Sequence, residues 1–506
     1  MSNARILKNS AFLYLRLLRT LGLGLFTTRI VINALGIDDY GIYGVVAGLI
    51  TMFGFMNAAM SSSTQRYLSF DLGLNATKKL QQTFTTAVNI HLLIGVVSFL
   101  LAEVVGVWAI NDLLDIPADR LIAANTVFQF SIITFFFGII QVPYHAAIIA
   151  YERMNAYAYI SIVDAVLKLI AAYLLMIAPY DRLIFYSQLL AIISVLSFVV
   201  YFFYVQVQFK MIEYIKYFDK KYYAEILSFS GWNLFGNIAA VARIQGVNIL
   251  INIFFGVALN AAYAVAMLIQ TVLLQFAAST QQAINPQIIK SYAQGEVERT
   301  ERLMHLSSKF SFYVMLILIA PFYLNLDYVL KLWLEVVPDC TEIFISYLFV
   351  FLLIEVLSNS LMIALQATGN IKAYQIVVGF IVFLNFPITY FTYKIYKEPE
   401  AAFVVLIFVS VIAMYVRLLF VKKQLGYSIY SFFNKVVIYV LLVLVVSFPV
   451  LFLNHFNLFD GFVKVLFDTL ISSFYLMVVI FLFGLNKEER FFVRIKFSET
   501  LKRFLS

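Results

Sequence analysis

The sequence predicts an all-α polytopic membrane protein of about fourteen transmembrane helices, built as two parallel six-helix repeats with two further helices after them. Three observations carry this expectation. Of 506 residues, 63% are hydrophobic and 13% charged, roughly half the charged share that covers a water-soluble domain. Apolar stretches recur along the whole chain, each near the ~20 residues a helix needs to cross hydrocarbon. Lysine and arginine concentrate in alternate connections.

The apolar runs lie at 11–36, 41–60, 84–110, 121–150, 155–178, 183–207, 225–255, 261–285, 306–330, 341–366, 374–395, 401–421, 435–454 and 463–485. Spread over the chain, that is about 36 residues per span, enough for a helix and a short connection but not for a soluble catalytic domain. With the N-terminus inside, 24 of the 36 Lys and Arg fall in or beside inner connections, five in outer ones and seven within spans. This asymmetry is the positive-inside pattern, so both termini are expected in the cytoplasm. The basic start runs directly into the first span, where Arg16 and Arg19 interrupt any signal-peptide core, so that span is expected to be retained. The formal charge of +8 therefore reflects topology, and nucleic acid is not an expected partner. Every outer connection is short, which leaves no large outer loop for a sugar polymerase.

An internal repeat appears twice. Ser63-Thr64-Gln65 returns as Ser279-Thr280-Gln281, and Ala147, Ala150, Ala156 and Tyr157 return as Ala364, Ala367, Ala373 and Tyr374, at offsets near 216. A duplicated six-helix unit gives segments 1–210 and 211–424, with 425–506 holding the two added helices and a basic tail. Six is even, so the copies share orientation, and a substrate belongs in the cleft between them.

An ionisable side chain at membrane depth is costly and calls for a reason. Asp164 and Lys168, like Lys464 and Asp468, stand four residues apart and can neutralise each other. Arg417 is close enough to Lys422 to reach the inner interface, and Arg29 is expected to anchor at the outer one. In the first span, Arg16, Thr20 and Thr27 share about 40° of helix surface and Arg19 lies about 60° away, with no acid before Asp38. In the seventh span, Ser230, Asn233, Asn237, Gln245, Asn248 and Asn252 occupy a sector of about 120°, with Arg243 at its edge. Such amides serve either interhelical bonding or a hydroxyl-rich ligand. The candidate substrate-binding residues are thus Arg16, Arg19, Arg243, Asn233, Asn237 and Asn248. The deep acids Glu103 and Glu355 are candidate ion-coupling groups. A guanidinium fork suits phosphate or diphosphate.

Catalytic and cofactor motifs do not emerge. The sequence has no Walker A pattern, no Gly-x-Ser-x-Gly elbow, four scattered histidines and one cysteine, Cys340. No cofactor, metal or enzymatic activity is expected. The acid pairs Asp38-Asp39 and Glu488-Glu489 fall in connections and are expected to be solvated.

The stretch Arg29-Ile30-Val31 with NALGIDDYGIYGVVAGLITMFGFMNAAMSSSTQRYL (33–68), the hairpin QVPYHAAIIAYERMNAYAY (141–159), FSGWNLFGN (229–237) and NPQIIKSYAQG (285–295) resemble the polysaccharide-biosynthesis flippases. These form the O-antigen translocase group of the MOP (multidrug, oligosaccharidyl-lipid, polysaccharide) exporter superfamily. The resemblance covers most of the first eleven spans and rests chiefly on LG-x-x-x-YG-x-Y at 35–43; the last three spans are generic. It implies a MATE-like pair of six-helix lobes around a cavity, without ATP hydrolysis. It also implies transfer of a polyprenyl-diphosphate-linked oligosaccharide across a bacterial inner membrane, with lipids and glycan polymerases or glycosyltransferases as neighbours. Arg16, Arg19 and Arg243 are the positions that could meet the family's need for cationic cavity residues. A MATE-type drug/cation antiporter shares the fold but would call for deep free carboxylates. A membrane-embedded glycosyltransferase or polymerase would need clustered acids or a long outer loop, and a non-transporting scaffold would not need charge within its spans.

Overall fold

The computed structural model describes residues 2–51, 54–114, 116–334, 337–450, 460–491 and 494. Every regular element among them is helical. In order these are α1 (Ser2–Leu35), α2 (Ile37–Thr51), α3 (Gly54–Gly73), α4 (Thr77–Trp108), α5 (Leu121–Ile140), α6 (Val142–Ala150), α7 (Met154–Leu174) and α8 (Arg182–Gln208). Then follow α9 (Lys220–Phe255), α10 (Val257–Ala293), α11 (Val297–Leu324), α12 (Leu326–Leu334), α13 (Thr341–Thr368), α14 (Lys372–Phe383), α15 (Asn385–Tyr396), α16 (Ala401–Leu425), α17 (Ile429–Phe432), α18 (Ile438–Ser447) and α19 (Gly461–Val479).

Among the described residues twelve helical segments are long and apolar enough to cross a membrane. They coincide with the third to fourteenth predicted runs. The first two predicted runs form helices that fall short of that standard. Arg16, Arg19, threonines and glycines dilute α1, while the Ser-rich SSSTQR stretch makes α3 polar and 52–53 lie outside the described residues. The protein is thus a multi-pass membrane protein, with twelve apolar helices among the described residues against the fourteen spans the sequence predicts.

The chain packs as two compact units, Ile6–Asn237 with Ile289–Gly295, and Met1–Arg5 with Ile238–Ile288 and Glu296–Ser506. In the first unit, α5 packs along α8 and α4, α3 along α6, and α7 along α8. Close helix approach there depends on Gly106, whose missing Cβ would stand 1.9 Å from Phe128 Cζ. The connection 209–219, placed at a lobe boundary by the sequence, is fastened to this first unit. Phe209 stacks on Tyr151 at 4.1 Å, the Ile215 amide donates to Thr85 Oγ1, and Tyr214 donates to Asn89. In the second unit α13 is central, packing on α16 and α11, and α19 packs on α11. The appended pair is thereby joined to the unit that precedes it.

Left-handed breaks punctuate both halves in matching order. Gly36 separates α1 from α2 and Gly256 separates α9 from α10, both at φ +83°. Asn75 and Gly295 stand before α4 and α11, and Glu152 and Gly369 before α7 and α14. Glycine, or an asparagine able to bond locally, meets this backbone at least cost; Glu152 is held there by an ion pair from Lys290 Nζ at 2.8 Å.

Candidate functional site

The first unit holds a polar chamber of about 450 Å³ inside its own helices. Its wall combines Thr134, Gln141, Ser161, Ser194, Ser197 and Tyr201 with the charged pair Asp164 and Lys168. Asp164 is the eleventh residue of the 21-residue α7, about 15 Å along a helix that rises 1.5 Å per residue, so the pair sits at mid-span. The expected i,i+4 bridge forms, with Lys168 Nζ 2.8 Å from Asp164 Oδ2, and Ser197 donates to the other carboxylate oxygen at 2.7 Å. A cavity of this size with many polar groups suits water and hydrophilic solutes.

Arg16 belongs to the same neighbourhood. Its guanidinium lies 4.5 Å from the centre of the Tyr157 ring, a cation–π placement. His145 packs on the other side chain of this pair, with ring centres 4.5 Å apart, and also meets Tyr201 of the chamber wall. Arg16 Nε is buried without a hydrogen-bond partner, and its backbone carbonyl accepts from Thr20. Arg19 and Arg29 are exposed. Glu103 accepts a bond from Gln129 at 3.0 Å on a face whose neighbours Leu100 and Val104 are themselves exposed.

On α9, Ser230 and Asn233 are buried, Asn237 and Asn248 half-buried, and Gln245 and Asn252 exposed. The predicted amide sector therefore turns from interior to surface along the helix. Ser230 spends its hydroxyl on the Ile226 carbonyl.

The second unit gathers a buried charged cluster. Arg243 is 9% exposed and stands over Phe351, 5.1 Å from the ring centre. It faces a cavity of about 20 Å³, shared with Tyr263, Gln270 and Asn385. That is room for one water-sized particle, and a diphosphate does not enter it in this conformation. Arg417 departs from expectation. Instead of reaching the inner interface it is buried, donates to Ser358 Oγ at 2.5 Å, and stands 4.0 Å from Glu355. Arg243 and Arg417 both lie within electrostatic reach of Glu355, so two guanidinium groups share one carboxylate.

Of the acid pairs expected to be solvated, Asp38 and Glu488 are exposed, but Asp39 and Glu489 are each tied to a base. Asp39 accepts from Arg120, and Asp181 from the same guanidinium. Glu489 accepts two bonds from Lys309, at 2.8 and 2.7 Å, with Lys309 only 2% exposed. Lys309 lies inside α11, near the start of the predicted run 306–330, and is buried there. A network links Asp71 of α3 through Thr83 of α4, both buried, to the half-buried Tyr222 of α9. Burial raises the Asp71 carboxyl, while the Thr83 bond and Lys79 oppose that rise. These groups belong to segments the sequence treats as connections, and only their polar composition marked them.

No family model and no curated protein sequence matches the chain. Solved structures do match. An outward-facing multidrug resistance MATE family transporter of the MOP superfamily aligns at TM-score 0.70 and 13% identity, covering 83% of this chain and 96% of that one. A MOP superfamily transporter from Pyrococcus furiosus, described as having a binding pocket of reversed polarity, aligns at TM-score 0.69 and 12% identity with the same coverage. MATE in the straight conformation aligns at TM-score 0.68 and 16% identity, again over 83% and 96%. The likeness is one of fold: this chain has the MATE-like fold seen in these solved transporter structures.

Proposed function

We propose that the chain flips a polyprenyl-diphosphate-linked oligosaccharide, an O-antigen, capsule or related unit, from the inner to the outer leaflet of a bacterial inner membrane by alternating access. The carrying observation is the balance of intramembrane charge. The mid-span acids Asp164 and Glu355 each stand beside a base, at 2.8 and 4.0 Å. Arg16 and Arg243 instead rest over aromatic rings. Buried positive charge in excess is unfavourable alone and favourable with an anionic cargo. A diphosphate crosses hydrocarbon very slowly without such help, because its hydration must be replaced.

In this reading Arg16, Arg19, Asn233, Asn237 and Asn248 receive the head group, while Arg243 contributes only if its small cavity opens. The segments 1–210 and 211–424 act as the two six-helix lobes, with 425–506 appended, and α1 and α2–α3 complete fourteen spans with both termini in the cytoplasm. The matching left-handed breaks support that duplication. Lipids and glycan polymerases or glycosyltransferases are the proposed neighbours. Of the two proposed coupling acids, Glu355 has basic company that repels a second cation, which leaves Glu103 the better placed.

The test is surface glycan production in a strain whose own gene is replaced by Arg16→Gln or Arg19→Gln. Loss of glycan, with normal protein levels in the membrane, is the expected result; intact glycan in both would remove the proposal. The MATE-type drug/cation antiporter shares the fold. Increased drug susceptibility on deletion, with unchanged glycan, would favour it, and sugar transfer by purified protein would favour a glycosyltransferase or polymerase.

A further inference from the structure

The cavity at Arg243 carries an inference that does not depend on which cargo is moved. It holds about 20 Å³ and lies between α9, α10, α13, α15 and α16 of the second unit. Arg243 enters it with no carboxylate within 4.0 Å among the described residues, since Glu355 is engaged by Arg417. Asn385, fully buried at 0% exposed, lines the same cavity with both its amide nitrogen and its amide oxygen unpartnered. Gln270, 6% exposed, adds a second side-chain amide to the wall. Tyr263 completes the polar side and is fixed by donating its hydroxyl to the Ile244 carbonyl at 3.0 Å. Phe351 and the aliphatic residues of α16 close the remainder.

Each unpartnered group argues against an empty cavity. An unpaired buried amide is destabilising, and a guanidinium without its own counter-charge in a low-dielectric site is more so. The donors available are guanidinium and amide N–H groups, which bond anions well, and the positive charge of Arg243 opposes a cation. Volume limits the occupant to one water-sized particle. Phosphate, sulfate and carboxylates are too large.

We propose that Arg243, Asn385 and Gln270 form a buried site for a single monatomic anion, chloride under ordinary conditions, which neutralises Arg243 and fixes the helices around it. Bound chloride would bring two guanidinium and two anionic charges into one cluster, balancing Glu355, Arg243 and Arg417.

The experiment uses the purified full chain in detergent. Binding of radioactive chloride is measured by equilibrium dialysis, and thermal unfolding is followed as chloride replaces gluconate at constant ionic strength. The expected result is one saturable site per chain and an upward, saturable shift in Tm. Losing a charge-assisted bond should weaken binding by about tenfold or more in Arg243→Gln and flatten the Tm response. Asn385→Leu, which retains the guanidinium, is the second variant should Arg243→Gln not fold. No saturable binding to the unmodified protein, or binding undiminished in every variant that folds, would overturn the proposal and assign the cavity to water. Glycan flipping is not read in either arm, so failure here leaves the transport reading untouched.

Discussion

Arg120 grips Asp39 with two nitrogens, Nε to Oδ1 at 2.9 Å and Nη2 to Oδ2 at 2.5 Å, and reaches Asp181 with Nη1 at 2.5 Å. One guanidinium thereby ties the start of α2, the approach to α5 and the N-cap of α8, where Asp181 also accepts from the Ile184 amide. The side chains are about a quarter exposed, so solvent trims the value of these bonds. Arg120→Ala should cost about 1–2 kcal/mol, read as a fall in Tm in detergent.

The same triad sets a pH dependence. Burial alone would raise the Asp181 carboxyl, but Arg120 and the Ile184 amide outweigh burial and hold it below the usual carboxylate range. A carboxyl with a lowered folded pKa contributes stability that is complete above its unfolded value, near 3.9, and lost as pH falls through the folded value. The Tm gap between the unmodified protein and Asp181→Asn should stay constant from about pH 8 to 5 and close below about pH 4. A gap that instead closes near pH 7 would contradict this account.

Lys309 and Glu489 give a sharper contrast. Lys309 Nζ donates to both Glu489 oxygens, stands 4.9 Å from the Tyr439 ring centre, and Glu489 also accepts from the Asn486 amide. Removing one partner strands the other, at about 3–5 kcal/mol, whereas replacing both with apolar residues costs much less. Lys309→Met and Glu489→Leu should each lower Tm strongly, and the double variant should recover most of the loss. Additive losses would show that the two charges are not coupled.

The helices of this fold are far more legible in the sequence than the pairings. Run length and hydropathy are local, so the third to fourteenth predicted spans coincide with apolar helices, and i,i+4 spacing sufficed for Asp164 and Lys168. Lys309 and Glu489 stand 180 residues apart, and Arg120 and Asp39 stand 81 apart. Helical periodicity assigns a residue to a face but not to a distant partner, so Glu489 and Asp39 read as loop acids. Asn385 was missed for a related reason. A lone amide in the middle of the 374–395 run makes no helical sector by itself, although Thr389 one turn later, also buried and unpartnered, repeats the polar face and could have drawn attention to it. Arg243 was found because a guanidinium at mid-span always needs explanation, but the cavity size that limits its ligand depends on side chains from four other helices.

Gly106 marks a point where packing leaves no tolerance. A Cβ there would meet Phe128 Cζ at 1.9 Å, with Cε1 and Cε2 at 2.7 and 2.8 Å. Phe128 is buried in the core formed with Val46, Ala102, Val127 and Ile132, so the ring has little room to retreat. Overpacking of this kind costs about 1–3 kcal/mol. Gly106→Ala should lower Tm, and Phe128→Leu, which removes the ring, should relieve the clash in the double variant. A double variant no better than the sum of the singles would place the strain elsewhere.

The chamber in the first unit can be probed with a single sulfur atom. Cys340 is the chain's one cysteine, so Cys340→Ser provides a thiol-free background. Ser197 lines the chamber and bonds Asp164, whereas Val163, one residue before that acid, is exposed on the outer surface of α7. A thiol reacts as thiolate, which forms readily in water and poorly in hydrocarbon. Ser197→Cys should therefore react with a small, charged methanethiosulfonate reagent in intact membranes, and Val163→Cys should react much more slowly. With a cationic reagent, Lys168→Met should speed labelling at Ser197→Cys, because it removes a like charge from the approach and leaves the Asp164 carboxylate unpaired. Equal labelling at the two positions would mean that the polar wall of α7 and α8 is not wetted, and that Asp164 and Lys168 pair simply to neutralise each other within the bilayer.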